Sequence, residues 1–251
     1  MDRFVASSWT PTDVQPNGND LNNNVDILKY PYQQLIGSLM YPSVLTRPDI
    51  AYSVSYLSQY NNCYNETHWK HLKRLLKYLQ KTKSYGLVYK KNDIPLQAFV
   101  DADWASCTLD RRSYTGFGFI MSGCVISFES RKQRTIALSS TEAEYMALFE
   151  ACKEAIYLKN LLSDMIEINK NTPVCLYCDS QSSIKLAVNP LFHKRTKHID
   201  VRHHFVREYL FDNKVKLEYV STSNMPADLL TKSLCINKHY KFLSTVGISE
   251  V

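Results

Sequence analysis

An α/β fold, built on a mixed sheet flanked by helices and preceded by a small helical segment, follows from three observations. The apolar pattern changes from helical to alternating near residue 86. Two apolar runs, LQAFVDAD at 96–103 and PVCLYCDS at 173–180, each rise as a buried strand and end in a carboxylate, Asp101 and Asp179. Between them lie a hairpin pattern, YTGFGFIM and CVISFES joined by Ser122-Gly123, and a long helix opened by a capping box.

Composition sets the outer bounds. The 251 residues allow one large domain or two small ones, and 45% hydrophobic with 22% charged residues favours neither a disordered nor a fibrous class. The formal charge of +6 is unevenly spread and points to a polyanionic partner. Seven cysteines without a compact framework fit free thiols in a reducing compartment. The Cys175-x-x-Cys178 pair falls inside a strand, where odd spacing sends the two side chains to opposite faces, so a zinc or redox role is not favoured. The N-terminus lacks the apolar core of a signal peptide, and no run approaches the roughly 18 apolar residues of a spanning helix. An intracellular protein without a membrane partner is expected.

In chain order, residues 1–29 are rich in Asn, Asp and Pro and read as a flexible tail. Residues 30–90 read as helical. Thr46 and Asp49 give a Thr-x-x-Asp start, after which Ile50, Val54 and Leu57 recur at helical spacing. Asn65 is the expected N-cap of a second helix with the stripe Trp69, Leu72, Leu76 and Leu79. Its other face is basic: eight Lys or Arg residues and no acid occur between Lys70 and Lys91. Among them Lys73, Arg74 and Lys77 are candidates for phosphate-backbone contact, against the plainer reading of a solvated face.

After the hairpin, Ser139 and Glu142 form the capping box of a helix whose buried stripe is Ala143, Ala147, Ala151, Ala155, Leu158 and Leu162. Glu144 lies beside that stripe near the helix start. A short helix, 181–189, leaves Asp179. The segment 193–208 supplies Lys194, Arg195, Lys197 and Arg202 as further candidate phosphate contacts, and a helix is expected from about Ile199. Four of the seven histidines, His193, His198, His203 and His204, fall here, but no Glu or Cys completes a metal set. A last strand at 215–221 precedes SNMPADLLTKSL, expected as a short helix carrying Asp228 with Pro226 near its start. Residues 236–251 read as one more helix and a tail.

Two strands ending in Asp101 and Asp179, a helix start carrying Glu144, and a C-terminal turn carrying Asp228 would bring four acids to one sheet edge if the strands are neighbours. Carboxylates that close raise one another's pKa, and a pair of hard divalent cations about 4 Å apart relieves the conflict and supports phosphodiester hydrolysis. Asp103 and Glu142 remain rival assignments.

The stretches YQQLIGSLMYPSVLTRPDIAYSV, FVDADWA, DRRSYTGFGF, SSTEAEYMAL, YCDSQSSIKLA, HKRTKHIDVRHHFVRE and NMPADLLTK resemble the ribonuclease H domain of copia-type LTR retrotransposon Pol polyproteins, with the C-terminal end of the reverse transcriptase before it. The resemblance implies a ribonuclease H-like five-stranded mixed sheet over 91–235 and metal-dependent endonucleolytic hydrolysis of the RNA strand of RNA:DNA hybrids. By position it implies Asp101, Glu144, Asp179 and Asp228 as catalytic residues and ligands of two Mg²⁺ ions, with Mn²⁺ as a substitute, and Asn224 as a substrate contact near them. Residues 30–90 match a thumb- or connection-like segment. Reverse transcriptase or other element-encoded proteins are implied partners, and a cytoplasmic particle or the nucleus is the implied location.

There are departures: VSTSNMPAD lacks the His of many cellular ribonucleases H, which bears on turnover, and the polymerase palm is absent. A fragment of a decayed element, or a product begun at an internal Met, is therefore expected. The alternative is a catalytically silent nucleic-acid-binding remnant. A transposase or integrase of the same general fold fits less well, because it would place its Glu after the second Asp rather than between the Asp residues.

Overall fold

The computed structural model describes residues 10–12, 30–107, 109–166, 172–189 and 200–251, the side chains of Asp200, Val201 and His203 excepted. Three helices come first: α1 (Tyr32–Leu45), α2 (Pro48–Ser58) and α3 (Glu66–Lys81). The strand β1 (Tyr85–Leu87) leads to β2 (Gln97–Asp103), β3 (Tyr114–Met121) and β4 (Cys124–Lys132), and α4 (Ser140–Met165) crosses to β5 (Val174–Cys178). Then follow α5 (Gln181–Val188), α6 (Asp200–Phe211), β6 (Val215–Tyr219), two short 3-10 turns at Thr222–Asn224 and Pro226–Leu230, α7 (Ile236–Thr245) and β7 (Ile248–Glu250).

The main sheet has five strands in the order β4-β3-β2-β5-β6. The first three pair antiparallel, while β2–β5 and β5–β6 are parallel, so the sheet is mixed and flanked by helices as expected. Ser122 and Gly123 both take positive φ, 55° and 71°, the backbone that a two-residue hairpin turn needs. Ser139 caps α4 by accepting from the Glu142 N–H at 3.2 Å. Ala143, Ala147, Ala151 and Ala155 are fully buried, which lets α4 lie close on Ala98, Val100 and Ala102 of β2. These take one face of β2; Phe99, Asp101 and Asp103 take the other.

The helices at 30–81 form a second core around Tyr32, Ile36, Leu57, Leu72, Leu75 and Tyr78, which also takes in Tyr114 of the sheet. Two local expectations are corrected. Helix α2 begins with Pro48 at its first position and no side-chain cap, because Asp49 is buried and turned to Arg47 instead. In α3 the Asn65 cap holds, and the Asn65 N–H donates in turn to His68 Nδ1 at 3.1 Å. Its fully buried line, however, is His68, Leu72, Leu75 and Tyr78, with Trp69, Leu76 and Leu79 only partly covered. The helix meets packing partners on two sides, which a single stripe does not express.

Within the segment read as a C-terminal helix and tail, Ile248–Glu250 forms β7, paired antiparallel with β1. A third core of Val125, Leu229, Leu243, Val246 and Ile248, with Tyr85 and Leu87 against it, joins this small sheet to β4. A buried polar chain ties the same ends together. Arg47 pairs with Asp49 at 2.7 Å and donates to Thr82; the Tyr78 hydroxyl donates to Asp49 at 2.7 Å and lies 2.9 Å from His239 Nε2.

Burial lowers the His239 pKa from 6.5 to about 4 despite the nearby Asp49 carboxylate. As pH falls below about 6.5, the unfolded imidazole takes a proton that the folded one refuses until about pH 4. His239 therefore removes stability progressively across that window, by roughly 3 kcal/mol in full. His239→Gln should be less stable than the parent at pH 7.5, and the gap should narrow as pH drops to 4.5 in denaturant titrations. A gap independent of pH would contradict the buried neutral imidazole.

Candidate carboxylate site

The site lies at the carboxyl ends of β2 and β5. Their register aligns Val100 with Cys178, so Asp101 and Asp179 follow side by side. Asp101 is 1% exposed, and Glu144, on the first turns of α4, is also buried. The Ala102 N–H donates to the Glu144 carboxylate. Glu144, Cys178 and Asp179 offer ligand atoms that all lie within 4.8 Å of one another. Burial, and then Glu144, push the Cys178 thiol up to about 12, which leaves it protonated and the two carboxylates as the hard donors. Asp179 is half-buried and accepts from Thr222 Oγ1 at 2.7 Å.

Asp228 approaches from the other side of the sheet, on the 3-10 turn Pro226–Leu230 rather than on an α-helix. The approach depends on Gly116, which stands directly opposite Asp101 on β3. A Cβ on Gly116 would fall 2.7 Å from both Leu230 Cβ and Thr231 Cγ2. The turn thus rests on bare backbone. Thr231 Oγ1 donates to Asp101 Oδ2. Lys232 Nζ sits between two acids, 2.9 Å from Asp228 Oδ1 and 3.4 Å from Asp101 Oδ2, with Lys238 Nζ 3.9 Å from Asp228 Oδ2. Asp228 Oδ1 is buried and meets Lys232 as a close ion pair.

The charges do not balance. Burial raises the Asp101 pKa and outweighs the opposing pull of Lys232 and Thr231, while Asp179 adds to the rise. Burial, then Asp101 and Asp179, hold Glu144 well above the ordinary carboxylate range. Burial and Asp101 lift Asp228 to about 6 in spite of Lys232. Lys232 answers in kind: burial alone would lower its pKa, but Asp101 and Asp228 hold it above the usual lysine value. Of the groups within ligand distance of one another, Glu144 and Asp179 supply the oxygen donors that a hard divalent cation takes, and Asp101 and Asp228 lie further along the same chain of repulsion.

The remaining sequence candidates divide. Glu142 accepts from the Leu138 N–H at 2.8 Å and so serves the helix start. Asp103 is half-buried, with burial raising its pKa against the pull of Lys232. Asn224 is exposed and accepts from Lys241 Nζ at 2.7 Å. Arg74 donates to Thr10 at 3.1 Å, while Lys73 and Lys77 are half-exposed on α3. Arg202 lines a cavity of about 210 Å³ with Arg131, Arg134, Lys153 and Glu150. Lys194, Arg195 and Lys197, with His193 and His198, lie outside the described residues. Sequence reading missed Thr231 and Lys232. The available signal was a cation four residues after Asp228 in a short turn.

No family model matches the chain. It is 42% identical over 244 residues to the retrovirus-related Pol polyprotein from transposon TNT 1-94 of Nicotiana tabacum, covering 97% of this chain and 18% of that polyprotein. It is 38% identical over 221 residues to the Pol polyprotein from transposon RE2 of Arabidopsis thaliana, covering 88% of this chain and 15% of the relative. A Plasmopara viticola protein described as secreted RxLR effector protein 161 is 49% identical over 129 residues, 51% of this chain and 91% of that protein.

Solved structures with a likeness include ribonuclease H1 from Halobacterium salinarum NRC-1, with a TM-score of 0.40, 17% identity, and coverage of 58% of this chain and 97% of that one. A foamy viral protease-reverse transcriptase in complex with RNA/DNA hybrid gives 0.47 and 16%, over 76% of this chain and 24% of that one. These superpositions are loose, and the place of the chain among retrotransposon Pol polyproteins rests on its sequence relatives.

Gly116→Ala should push the 226–231 turn off the sheet and destabilise the protein by about 1–3 kcal/mol, the usual effect of overpacking. Gly118 makes the control, since a Cβ there would meet Val125 Cγ2 at 3.5 Å and Leu230 Cδ1 at 3.8 Å, ordinary contact distances. Thermal unfolding of the two variants tests this: equal losses would mean that the turn does not depend on Gly116.

Proposed function

We propose a ribonuclease H activity for this chain from the premise that it belongs to the copia-type retrotransposon Pol polyproteins. The reaction is hydrolysis of the RNA strand of an RNA:DNA hybrid. The observation that supports it most is the place of Asp101, whose carboxylate repels Glu144 and Asp179 on one side and Asp228 on the other, with burial raising the pKa of Asp101, Glu144 and Asp228. Two Mg²⁺ ions, or Mn²⁺, would be held by these four residues and would supply, when bound, an ionised water and a counter-charge for the leaving oxygen.

The chain's own groups do the positioning. Thr231 and Thr222 fix the carboxylates of Asp101 and Asp179, and the Ala102 N–H orients Glu144. Lys73, Lys77 and Arg202, together with Lys194, Arg195 and Lys197, would contact the phosphate backbone, a sequence-independent attraction that weakens with salt. Residues 30–90, as the end of a reverse transcriptase, would present the hybrid to the site at 91–235 and meet the polymerase part of the element's products. The setting would be a cytoplasmic particle or the nucleus; among the described residues no helix is long and apolar enough to cross a membrane.

The test is cleavage of a labelled RNA:DNA hybrid by the purified chain in Mg²⁺, with RNA duplex and DNA duplex as controls. Loss of the RNA strand only in the hybrid is expected. Asp179→Asn should lower the rate by about a hundredfold or more, since several kcal/mol of charge stabilisation depend on the metal, and should leave hybrid binding in EDTA largely intact. A folded chain that binds hybrid and cleaves none would establish the silent binding remnant instead.

A further inference from the structure

Lys232 occupies an unusual place for a lysine. Its Nζ bridges Asp101 Oδ2 at 3.4 Å and Asp228 Oδ1 at 2.9 Å, two carboxylates with side chains 2% and 1% exposed. The backbone that carries it is fixed: the Lys232 and Thr231 N–H groups both donate to the Asp228 carbonyl, and Thr231 also holds Asp101. The side chain itself keeps a way out, being 29% exposed at the end of a flexible stem. Glu144 and Asp103 feel its charge as well, and Lys238 stands 3.9 Å from the far oxygen of Asp228.

We propose that Lys232 is the resident counter-ion of the carboxylate site: it neutralises Asp101 and Asp228 in the metal-free protein and competes with a divalent cation for the same two carboxylates. The inference rests on the reading above for the identity of the cation's ligands. An ammonium and a divalent cation cannot share two buried carboxylates without repulsion, so cation entry displaces the ammonium toward solvent. Lys232 thereby lets the chain fold with its acids already together, and it sets how much cation is needed to fill the site.

The experiment uses the whole chain without nucleic acid. Mn²⁺ binding is followed by the electron paramagnetic resonance signal of free Mn²⁺, and thermal unfolding is recorded in EDTA and in saturating Mn²⁺. Lys232→Met should melt several degrees lower than the parent in EDTA, about 5 °C, and bind Mn²⁺ about tenfold more tightly. Its melting deficit should close in saturating Mn²⁺, and Lys232→Arg, which keeps the charge, should behave as the parent does. If Lys232→Met folds only when Mn²⁺ is supplied, the counter-ion role is supported in its strongest form. Unchanged or weaker Mn²⁺ binding in Lys232→Met, no Mn²⁺ binding by either protein, or a variant unfolded even in saturating Mn²⁺ would each overturn it. Hybrid cleavage is read separately. Tighter Mn²⁺ binding without any cleavage keeps the counter-ion and removes the nuclease, whereas cleavage with Mn²⁺ affinity indifferent to residue 232 does the reverse.

Discussion

The contact between a bare patch of sheet and a short turn is what the carboxylate site depends on. Gly116 leaves room at the one place on β3 that faces Asp101, and the turn Pro226–Leu230 fills it. Without that room Asp228 could not lie near Asp101, and Thr231 and Lys232 could not reach it. Everything beyond the turn holds it down. Leu229 belongs to the core formed with Val125, Leu243 and Ile248, and β7 closes that core by pairing with β1. The position of one acid is therefore set by residues spread from β1 to the C-terminal strand β7.

The N-terminal helices are part of the same construction rather than an appendage to the sheet. Tyr114, in the strand beside β2, lies in the helical core, and its hydroxyl meets Gln59 at the end of α2. On the far side, Arg47, Asp49, Tyr78 and His239 link α2 and α3 to α7. A buried ion pair of this kind adds little net stability over an apolar replacement, but removing one partner leaves a buried charge uncompensated. Its consequence is geometric. It keeps α7, and so the turn before it, in register with helices far away in sequence.

The parts of this arrangement that were legible in the sequence are those written in local chemistry. Ser122-Gly123, Asn65 and Ser139 each state a turn or a cap through their own backbone requirements, and the alanines of α4 state a close approach. The two strands ending in acids could be seen because apolar runs rarely finish that way. What could not be read is whatever a residue owes to a distant partner. Thr46-x-x-Asp49 has the form of a cap, yet Asp49 is claimed by Arg47 and Tyr78. The three-residue strands β1 and β7 are too short to show a period, and they exist because they pair with each other. Lys232 lay within a recognised stretch and still carried no visible role, because its partner Asp101 is 131 positions earlier in the chain, nearly the separation of 130 between Thr231 and that same acid.

Stability alone does not account for these acids. A carboxylate whose pKa rises on folding works against the folded state once the pH exceeds its ordinary value, because it must be ionised where ionisation is disfavoured. Asp101, Glu144 and Asp228 all do so, with burial as the leading cause, and neighbouring acids make it worse. An amide or an apolar side chain at any of these positions would remove the penalty. Lys232 offsets part of it, but one ammonium cannot balance several acids, and Lys238 stays largely at the surface. A chain gains from such an imbalance only if positive charge arrives from outside. A hard divalent cation bound by oxygen donors would bring that charge, and repulsion left among the acids would then become affinity for it.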